Sequence, residues 1–157
     1  QAKVYVHRDY HSRNLMVTEE NNPGVIDFQD AVYGPITYDA ASLWRDAYIA
    51  WPEERVIDWV IKFWEEGRQA GLAMPNDFGQ FYRDFEWMGL QRHLKVAGIF
   101  ARLSLRDHKP KYLADTPRFI GYIRSTASRY RELFPLLRLI DHIEGSSPAV
   151  SYAFGRV

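Results

Sequence analysis

The chain has 157 residues, of which 46% are hydrophobic and 15% aromatic, so it can bury a core and is not a disordered tail. Its 20 basic residues balance 20 acidic ones for a formal net charge of +0, which gives no indication that nucleic acid or an anionic membrane is a partner. The absence of cysteine excludes disulfides, thiolate nucleophiles and cysteine-ligated zinc.

No targeting signal is visible in the sequence. The opening residues, QAKVYVHRD, lack a basic start followed by an apolar stretch, and no apolar run approaches the roughly 18 residues of a membrane span. We therefore expect a cytoplasmic protein. The chain has no initiator Met and enters a motif-bearing segment at once, so we also expect a fragment whose amino-terminal portion lies elsewhere.

A small β structure is predicted at the beginning of the chain. Residues 4–6 form a short apolar strand, and a polar loop follows at residues 7–14. Two β-prone runs, LMV and VIDF, flank the turn-forming segment TEENNPG. They predict a β-hairpin with the polar loop at one end and Asp27 at the exit of the second strand. The following segment, QDAVYGPITY, is predicted to be a loop because it contains Gly34-Pro35.

Helical periodicity begins after this loop. Asp39 is expected to cap a first helix over AASLWRDAYIAW. Pro52 stands at a first-turn position of a second helix, which has acidic residues in its first turn and ends near Gly71. The apolar residues of this second helix recur at helical spacing, which predicts one buried face.

Three more helices are predicted in the second half. A long third helix covers NDFGQFYRDFEWMGLQRHLKVAGIFARLSLRD, capped by Asn76 or Asp77. Its predicted core face consists of Phe78, Phe81, Phe85, Met88 and Ile99. Thr116-Pro117 opens a fourth helix, which runs to about Leu133, and PLLRLIDHIE is a fifth. The tail GSSPAVSYAFGRV has no clear period and is not assigned. The predicted fold class is α+β and mainly helical, a small hairpin followed by four or five helices.

The polar loop and the hairpin gather groups that bind cations and protons. If the predicted strands pair, Asn14 and Asp27 come close to one another at the loop end. A carboxylate beside an amide oxygen is a hard-cation site suited to Mg²⁺ that carries phosphate oxygens. Asp9, left free nearby, is then available to accept a proton from an attacking hydroxyl. This division of roles is typical of phosphoryl transfer.

The motifs of this region resemble those of a known enzyme family. HRD at residues 7–9 with Asn14, followed by IDF at residues 26–28, resembles the catalytic loop and metal-binding motif of protein-kinase-like enzymes. His11, the DF-x-D-A continuation and GPITYDAASL resemble the aminoglycoside phosphotransferase branch. DFQDAVYGPITYD, WPEE and MGLQRHLKVAGIFARL resemble the bacterial cell-wall amino-sugar kinases of that family. Those enzymes phosphorylate the anomeric hydroxyl of N-acetylmuramate and N-acetylglucosamine.

The resemblance covers the chain to about residue 134 and implies roles for individual residues. Asp9 matches the catalytic base, and Asn14 and Asp27 match the metal ligands that hold Mg²⁺ and ATP. Asp39 matches a structural anchor beneath the catalytic loop. Asp30 matches an acidic position that either supports the metal ligands or holds the fold.

The resemblance also implies a domain organisation. The family's Gly-rich phosphate loop and ATP-contacting Lys are missing from this sequence, and in the family both lie on an upstream lobe. Residues 1–157 are therefore expected to be the C-terminal, catalytic and substrate-binding lobe of a protein-kinase-like fold. The amino-terminal nucleotide-binding lobe is expected to be absent, and this chain alone to be inactive.

Five further side chains are candidates for the site. His7 fits packing under the loop better than proton transfer, and His11 either supports the loop or contacts the transferring phosphate. Arg13, Arg92 and His93 are candidate substrate contacts. A solvated surface is the alternative for Arg13, and a solvated or ion-paired helix face is the alternative for the other two.

The same residues allow other classes of function. His7-x-Asp9-x-His11 is compatible with zinc and a metal-dependent hydrolase if that segment is extended, but this leaves Asn14 and IDF unexplained. A kinase-shaped binding module without chemistry has no need for Asp9, Asn14 and Asp27 together. Among kinases, an aminoglycoside or another small alcohol is the alternative substrate. The third helix has no excess of acidic residues, which favours a neutral or anionic sugar over a polycation.

Overall fold

The computed structural model describes residues 1–46, 48–108 and 116–145. Within these ranges the chain has five α-helices and two small two-stranded sheets. This confirms the prediction of an α+β, mainly helical fold. All of the unassigned tail except its first residue, Gly145, lies outside the described residues. No helix in the described part is long and apolar enough to cross a membrane.

The two sheets lie in the first 35 residues. Strand β1 (Lys3–Val6) pairs antiparallel with β4 (Val32–Pro35), and β2 (Leu15–Met16) pairs antiparallel with β3 (Gly24–Val25). The predicted hairpin is thus confirmed, with a shorter ladder than expected. The second strand stops before Asp27 because that residue has φ 68°, a left-handed conformation that cannot continue a strand.

The prediction of a loop over QDAVYGPITY was wrong in its middle. Gly34 lies inside β4, opposite Val4, and a Cβ on it would meet Val6 Cγ2 at 2.8 Å. The glycine therefore allows the two strands to approach, instead of ending a segment. Pro35 occupies the last position of β4, which is an edge strand of a two-stranded sheet and therefore tolerates a residue without an N–H donor.

The helices follow the predicted order. Their bounds are α1 Tyr38–Trp44, α2 Glu53–Gln69, α3 Phe78–Leu105, α4 Thr116–Arg129 and α5 Phe134–Glu144. A 3₁₀ turn, Arg131–Leu133, separates the last two. The fourth helix ends earlier than predicted because Tyr130 is extended, with φ −119° and ψ 121°.

The observed ends of α2 and α3 agree with the sequence-based predictions, and the start of α1 does not. Pro52 precedes α2, and Gly71 follows it with φ +74°. The Asp77 carboxylate caps α3 by accepting from the Gln80 backbone N–H at 2.8 Å. The prediction that Asp39 caps α1 was wrong: Thr37 holds that position, and the Asp39 carboxylate binds backbone outside the helix.

The long helix α3 organises the core. Its first half packs with α1 and α2 through fully buried Phe81 and Phe85, together with Val60 of α2. Its second half packs with α4 and α5 in a smaller cluster that contains Leu90 and Ile123. Because α3 joins both clusters, it is a rigid support for any element that rests on it. The predicted core face of this helix is confirmed for Phe78, Phe81, Phe85 and Met88.

Candidate active site

The polar loop between β1 and β2 is a sequence of tight turns. Arg8 has φ 77°, the left-handed region that residues with a Cβ rarely adopt. The Asp9 carbonyl accepts from the His11 N–H at 3.0 Å, and the His11 carbonyl accepts from the Asn14 N–H at 2.9 Å. The carboxylate of Asp9 accepts no hydrogen bond from the described residues. It is therefore available for an external proton donor.

Asp39 holds the loop from below. Its Oδ2 accepts from the His7 backbone N–H at 2.6 Å, and its Oδ1 accepts from the Arg8 N–H at 3.0 Å. Asp39 lies in the first turn of α1, so a helix that packs into the core fixes the position of the carboxylate. Hydrogen bonds to a charged acceptor are the stronger kind, and these two hold the backbone on the N-terminal side of Asp9.

Two further residues bind the loop backbone from distant elements. Arg92 of α3 donates from Nη1 to the Arg8 carbonyl at 2.7 Å. Asp46, only 1% exposed, accepts from the Ser12 N–H at 3.0 Å and from the Tyr48 N–H at 2.8 Å. Asp39, Asp46 and Arg92 are called the three loop supports below.

Asp46 was missed in the sequence. It lies inside the segment AASLWRDAYIAW, which was predicted to be one helix, and no role was assigned to it. The structure ends α1 at Trp44, which frees the Asp46 carboxylate to cap loop backbone. A lone acidic residue in an apolar run was the only available signal.

The hairpin brings Asn14 and Asp27 together. Asn14 Nδ2 donates to Asp27 Oδ2 at 3.3 Å and to the Asp9 carbonyl at 2.9 Å. Gln29 Nε2 donates to the other oxygen of Asp27 at 2.6 Å. Asp27 is exposed, so its carboxylate faces solvent beside the loop. Asn14 thus links the backbone of the base candidate, Asp9, to the carboxylate of the second ligand candidate, Asp27.

This pair fits Mg²⁺ by its donor chemistry. Mg²⁺ usually takes one or two carboxylates from the protein and completes its shell with waters and phosphate oxygens. Asn14 and Asp27 offer oxygen ligands of this kind. Among the residues that the structure describes, no group of three or more His, Asp or Glu could hold a metal ion. A site with few protein ligands is therefore the one compatible with these side chains.

The two loop histidines have different surroundings. His7 Nε2 hydrogen-bonds the Ile26 carbonyl at 2.9 Å, which ties the catalytic loop to the residue before Asp27. His11 packs the edge of its ring against Tyr48, with the centroids 5.4 Å apart. The zinc alternative required an extended segment, but the backbone turns at Arg8, and the described ranges contain no group of three or more His, Asp or Glu that could hold a metal ion. That alternative is contradicted.

Asp30 and Arg13 lie at the margins of the loop. Asp30 is exposed, and its backbone carbonyl accepts from Arg8 Nη1 at 3.4 Å. Arg13 is exposed and stacks over Tyr48, with 3.6 Å between its guanidinium carbon and the ring centroid. Such a cation–π contact on a surface stabilises by about 0.5–1 kcal/mol. Arg13 thus contacts an aromatic ring instead of being purely solvated.

The alternative of a solvated or ion-paired face was wrong for His93, which is only 3% exposed. Its Nε2 hydrogen-bonds the Arg45 carbonyl at 3.1 Å, and its ring stacks on Tyr122 at 4.8 Å. Burial above all, together with the charges of Arg45 and Arg92, lowers the pKa of His93 to about 4, and the hydrogen bond to the Arg45 carbonyl opposes this only in part. The ring is therefore neutral at physiological pH. Arg92 is half-buried, and the structure shows it in contact with the Arg8 carbonyl and the Tyr38 ring.

A charged network behind the loop was not predicted. Arg45 binds Glu53 through two hydrogen bonds of 2.6 and 2.7 Å, which lower the pKa of Glu53 to about 2. Arg129 of α4 bonds to Glu86 of α3, which is 3% exposed. These side chains and His93 line a cavity of about 110 Å³. The network ties the end of α1 to three later helices.

Comparison with known proteins bears on the same residues. Residues 1–74, which contain the whole loop, the hairpin and Asp39, match the model of the phosphotransferase enzyme family. The resemblance to this family is confirmed. The match includes every residue for which the motifs implied a role as base, metal ligand or anchor.

Similarity to individual phosphotransferases extends over most of the chain. This chain is 60% identical over 145 residues to N-acetylmuramate/N-acetylglucosamine kinase of Neisseria meningitidis. The matched region is 92% of this chain and 43% of that protein. The chain is 50% identical over 149 residues to the protein of the same name from Pseudomonas putida, covering 95% of this chain and 44% of that protein. The namesake from Caulobacter vibrioides is 33% identical over 127 residues, covering 78% of this chain and 33% of that protein. The chain therefore spans less than half the length of the curated relatives it matches.

Proposed function

We propose that the enzyme containing this chain transfers the γ-phosphoryl group of ATP to the anomeric hydroxyl of an N-acetylated amino sugar, N-acetylmuramate or N-acetylglucosamine. Residues 1–157 act as its catalytic and substrate-binding lobe, with the protein-kinase-like C-terminal fold that the motifs imply. One observation carries the proposal: a free carboxylate, Asp9, lies on a rigidly held loop beside the oxygen ligands of Asn14 and Asp27.

Asp9 acts as the base in this proposal. Its carboxylate accepts the proton of the attacking sugar hydroxyl while that oxygen forms its bond to the γ-phosphorus. The bond from the γ-phosphorus to the oxygen that bridges it to the β-phosphate breaks at the same time, and ADP leaves. Asn14 and Asp27 hold Mg²⁺ through their side-chain oxygens. The bound ion neutralises negative charge on the phosphate oxygens. The bond from Asn14 Nδ2 to the Asp9 carbonyl, 2.9 Å long, keeps base and ligands at a fixed separation.

The supporting residues determine the orientation of these groups. Asp39 fixes the backbone before Asp9, and Asp46 fixes the backbone after it. His7 links the loop to the strand that leads to Asp27. Positioning accounts for much of the catalysis in phosphoryl transfer, so these groups contribute to the rate without touching the phosphate.

An amino sugar is favoured over an aminoglycoside by the charge of α3. A site for a polycation gathers unpaired acidic side chains, whereas Glu86 is buried and bonded to Arg129 and Tyr130. Arg83 on the same helix pairs with Glu132 at 2.9 Å. The relatives that are 50% and 60% identical are named for N-acetylmuramate and N-acetylglucosamine, which supports the same substrate class.

The nucleotide's base and its β- and γ-phosphates are held by a second lobe in this proposal. The sequence contains no Gly-rich phosphate loop, and the curated relatives are more than twice as long as their match. Large side chains near the catalytic loop are exposed, among them Tyr5 at 87%, Phe28 at 66% and Tyr33 at 64%. Such a cluster is a suitable contact surface for that lobe.

The test is an assay of the complete enzyme with Mg-ATP and each sugar in turn. We expect a sugar 1-phosphate, which phosphorus NMR distinguishes from a phosphate on any other hydroxyl. Turnover of kanamycin-type compounds with both sugars untouched would contradict the substrate and leave the kinase standing. No transfer to any of these acceptors contradicts the kinase. Residues 1–157 alone should transfer nothing, and activity in that sample would refute the two-lobe proposal.

A further inference from the structure

Arg92 reaches the catalytic loop from the middle of α3. Its Nη1 donates to the Arg8 carbonyl at 2.7 Å, across 84 residues of sequence. The guanidinium carbon lies 4.9 Å from the ring centroid of Tyr38, in the first turn of α1. The side chain is therefore fixed by a ring on one side and a hydrogen bond at its tip.

The carbonyl that Arg92 binds belongs to the peptide that leads into Asp9. A peptide unit is planar, so fixing the Arg8 oxygen also fixes the direction of the Asp9 N–H and Cα. The preceding peptides are held by Asp39, which accepts the N–H groups of His7 and Arg8. Arg8 is thus bound at both its N–H and its carbonyl while it holds φ 77°. Without these bonds a residue with a Cβ returns to the more populated regions of backbone conformation.

We propose that Arg92 is a positioning residue for phosphoryl transfer, which sets the direction of the Asp9 carboxylate by holding the Arg8–Asp9 peptide. This rests on the proposed function of Asp9 as the base. It differs from a substrate contact, because the guanidinium is already engaged by a backbone oxygen and an aromatic ring. Loss of Arg92 therefore affects the rate of transfer and leaves substrate binding nearly unchanged.

The first experiment compares three variants of the complete enzyme. Arg92→Met keeps the packing of the stem over Tyr38 and removes the donor, and Arg92→Lys restores a charged donor. Arg102→Met alters an exposed arginine of the same helix and is the control. We expect Arg92→Met to lower kcat at least about 30-fold, since a displacement of about 1 Å costs on the order of 100-fold. The KM values for sugar and ATP should stay within about twofold, while Arg92→Lys recovers most of kcat and the control matches wild type.

Two results overturn the inference. A fall in kcat of less than about threefold in Arg92→Met shows that the hydrogen bond from Arg92 to the Arg8 carbonyl does not contribute to phosphoryl transfer. A rise in the sugar KM of tenfold or more with kcat kept shows that Arg92 binds substrate.

A second measurement does not depend on activity. Hydrogen–deuterium exchange of the peptide covering residues 7–14 should speed up in Arg92→Met and not in Arg102→Met. Unchanged exchange contradicts the inference even if transfer is lost. Wild type that is inactive on both sugars would instead refute the proposed function, and the exchange result would still decide the role of Arg92 in shaping the loop.

A rescue separates a role at the Arg8–Asp9 peptide from a general loss of stability. Glycine adopts positive φ without the steric penalty of a Cβ, so Arg8→Gly removes part of the need for the bond. We expect the double variant Arg8→Gly/Arg92→Met to have a kcat several-fold above Arg92→Met alone. Equal or lower activity in the double variant contradicts the proposed action through Arg8.

Discussion

The neutral, buried ring of His93 makes the stability of the fold depend on pH. Its side chain is enclosed by α3, α4 and the end of α1, with Nε2 bound to the Arg45 carbonyl. Burial lowers its pKa from 6.5 to about 4. The unfolded chain therefore takes up a proton as the pH falls below 6.5, whereas the folded protein does so only near pH 4. Stability from this group is complete above pH 6.5 and is lost as the pH falls toward 4.

The pKa difference sets the size of the effect. Each pKa unit corresponds to about 1.4 kcal/mol, so the full loss is about 3 kcal/mol and about 2 kcal/mol of it is lost by pH 5. The lowered pKa of Glu53, about 2, acts in another window. Stability from that carboxylate is present above about pH 4.5 and is lost progressively as the pH falls from there through 2. Measurements at pH 5 and above therefore isolate the histidine.

Urea unfolding at pH 7.5, 6 and 5, followed by circular dichroism and tryptophan fluorescence, tests this. His93→Gln keeps a side-chain N–H donor for the Arg45 carbonyl and does not titrate. We expect wild type to lose about 2 kcal/mol more than His93→Gln between pH 7.5 and 5. The exposed His142 provides a control, since His142→Gln should follow wild type. Parallel losses in wild type and His93→Gln would refute the reasoning.

The other predictions concern the catalytic loop in the complete enzyme. Asp9→Asn should lower kcat by about 10²–10⁴-fold and leave Mg-ATP affinity within about twofold, because the base is separate from the metal ligands. Asn14→Ala and Asp27→Ala should raise the Mg²⁺ concentration required at fixed ATP. Asp27→Ala should be more severe because it removes a charged ligand. Asp39→Asn should lower kcat, and it should lower the free energy of unfolding by about 1–3 kcal/mol. The reason is that one of the two part-buried N–H groups, of His7 or Arg8, then faces the NH₂ of an amide and has no acceptor. Asp46→Asn makes the same change at the carboxylate that binds the Ser12 N–H, on the C-terminal side of Asp9, and should lower the free energy of unfolding by a similar amount.

Steady-state kinetics, nucleotide titrations and urea unfolding check these outcomes. Turnover of Asp9→Asn within a few-fold of wild type rules out Asp9 as the base. An unchanged Mg²⁺ requirement in both ligand variants counts against the hairpin site. If Asp39→Asn keeps the kcat and the urea unfolding midpoint of wild type, the two hydrogen bonds from loop backbone to the Asp39 carboxylate do not support the loop.

The elements that local sequence controls were predictable. The hairpin was predictable from two β-prone runs on either side of a turn segment. The cap at Asp77 was predictable because an aspartate stands directly before a run of apolar residues at helical spacing. The strand β4 was missed because Gly34-Pro35 is also turn chemistry. Only the position of Val6 in space shows that glycine is needed there for strand packing.

The parts of the candidate site that depend on tertiary contacts and belong to no recognised motif were not predictable. The motif identified Asp9, Asn14 and Asp27, whose neighbours in space lie within one hairpin. Arg92 was proposed as a substrate contact and Asp46 was not noticed, because their partners are 84 and 34 residues away. No spacing rule connects such positions, and both an arginine and an aspartate are common on solvated helix faces.

The three loop supports imply an order of events during synthesis. The loop leaves the ribosome before every residue that shapes it. Arg92 follows Arg8 by 84 residues, which takes on the order of 10 s at about 5–20 residues per second. During that interval the left-handed turn at Arg8 lacks the hydrogen bond to its carbonyl, and the Asp9 carboxylate has no fixed direction. If Arg92 and Asp9 act as proposed, the geometry of the loop is complete only after α3 has been translated.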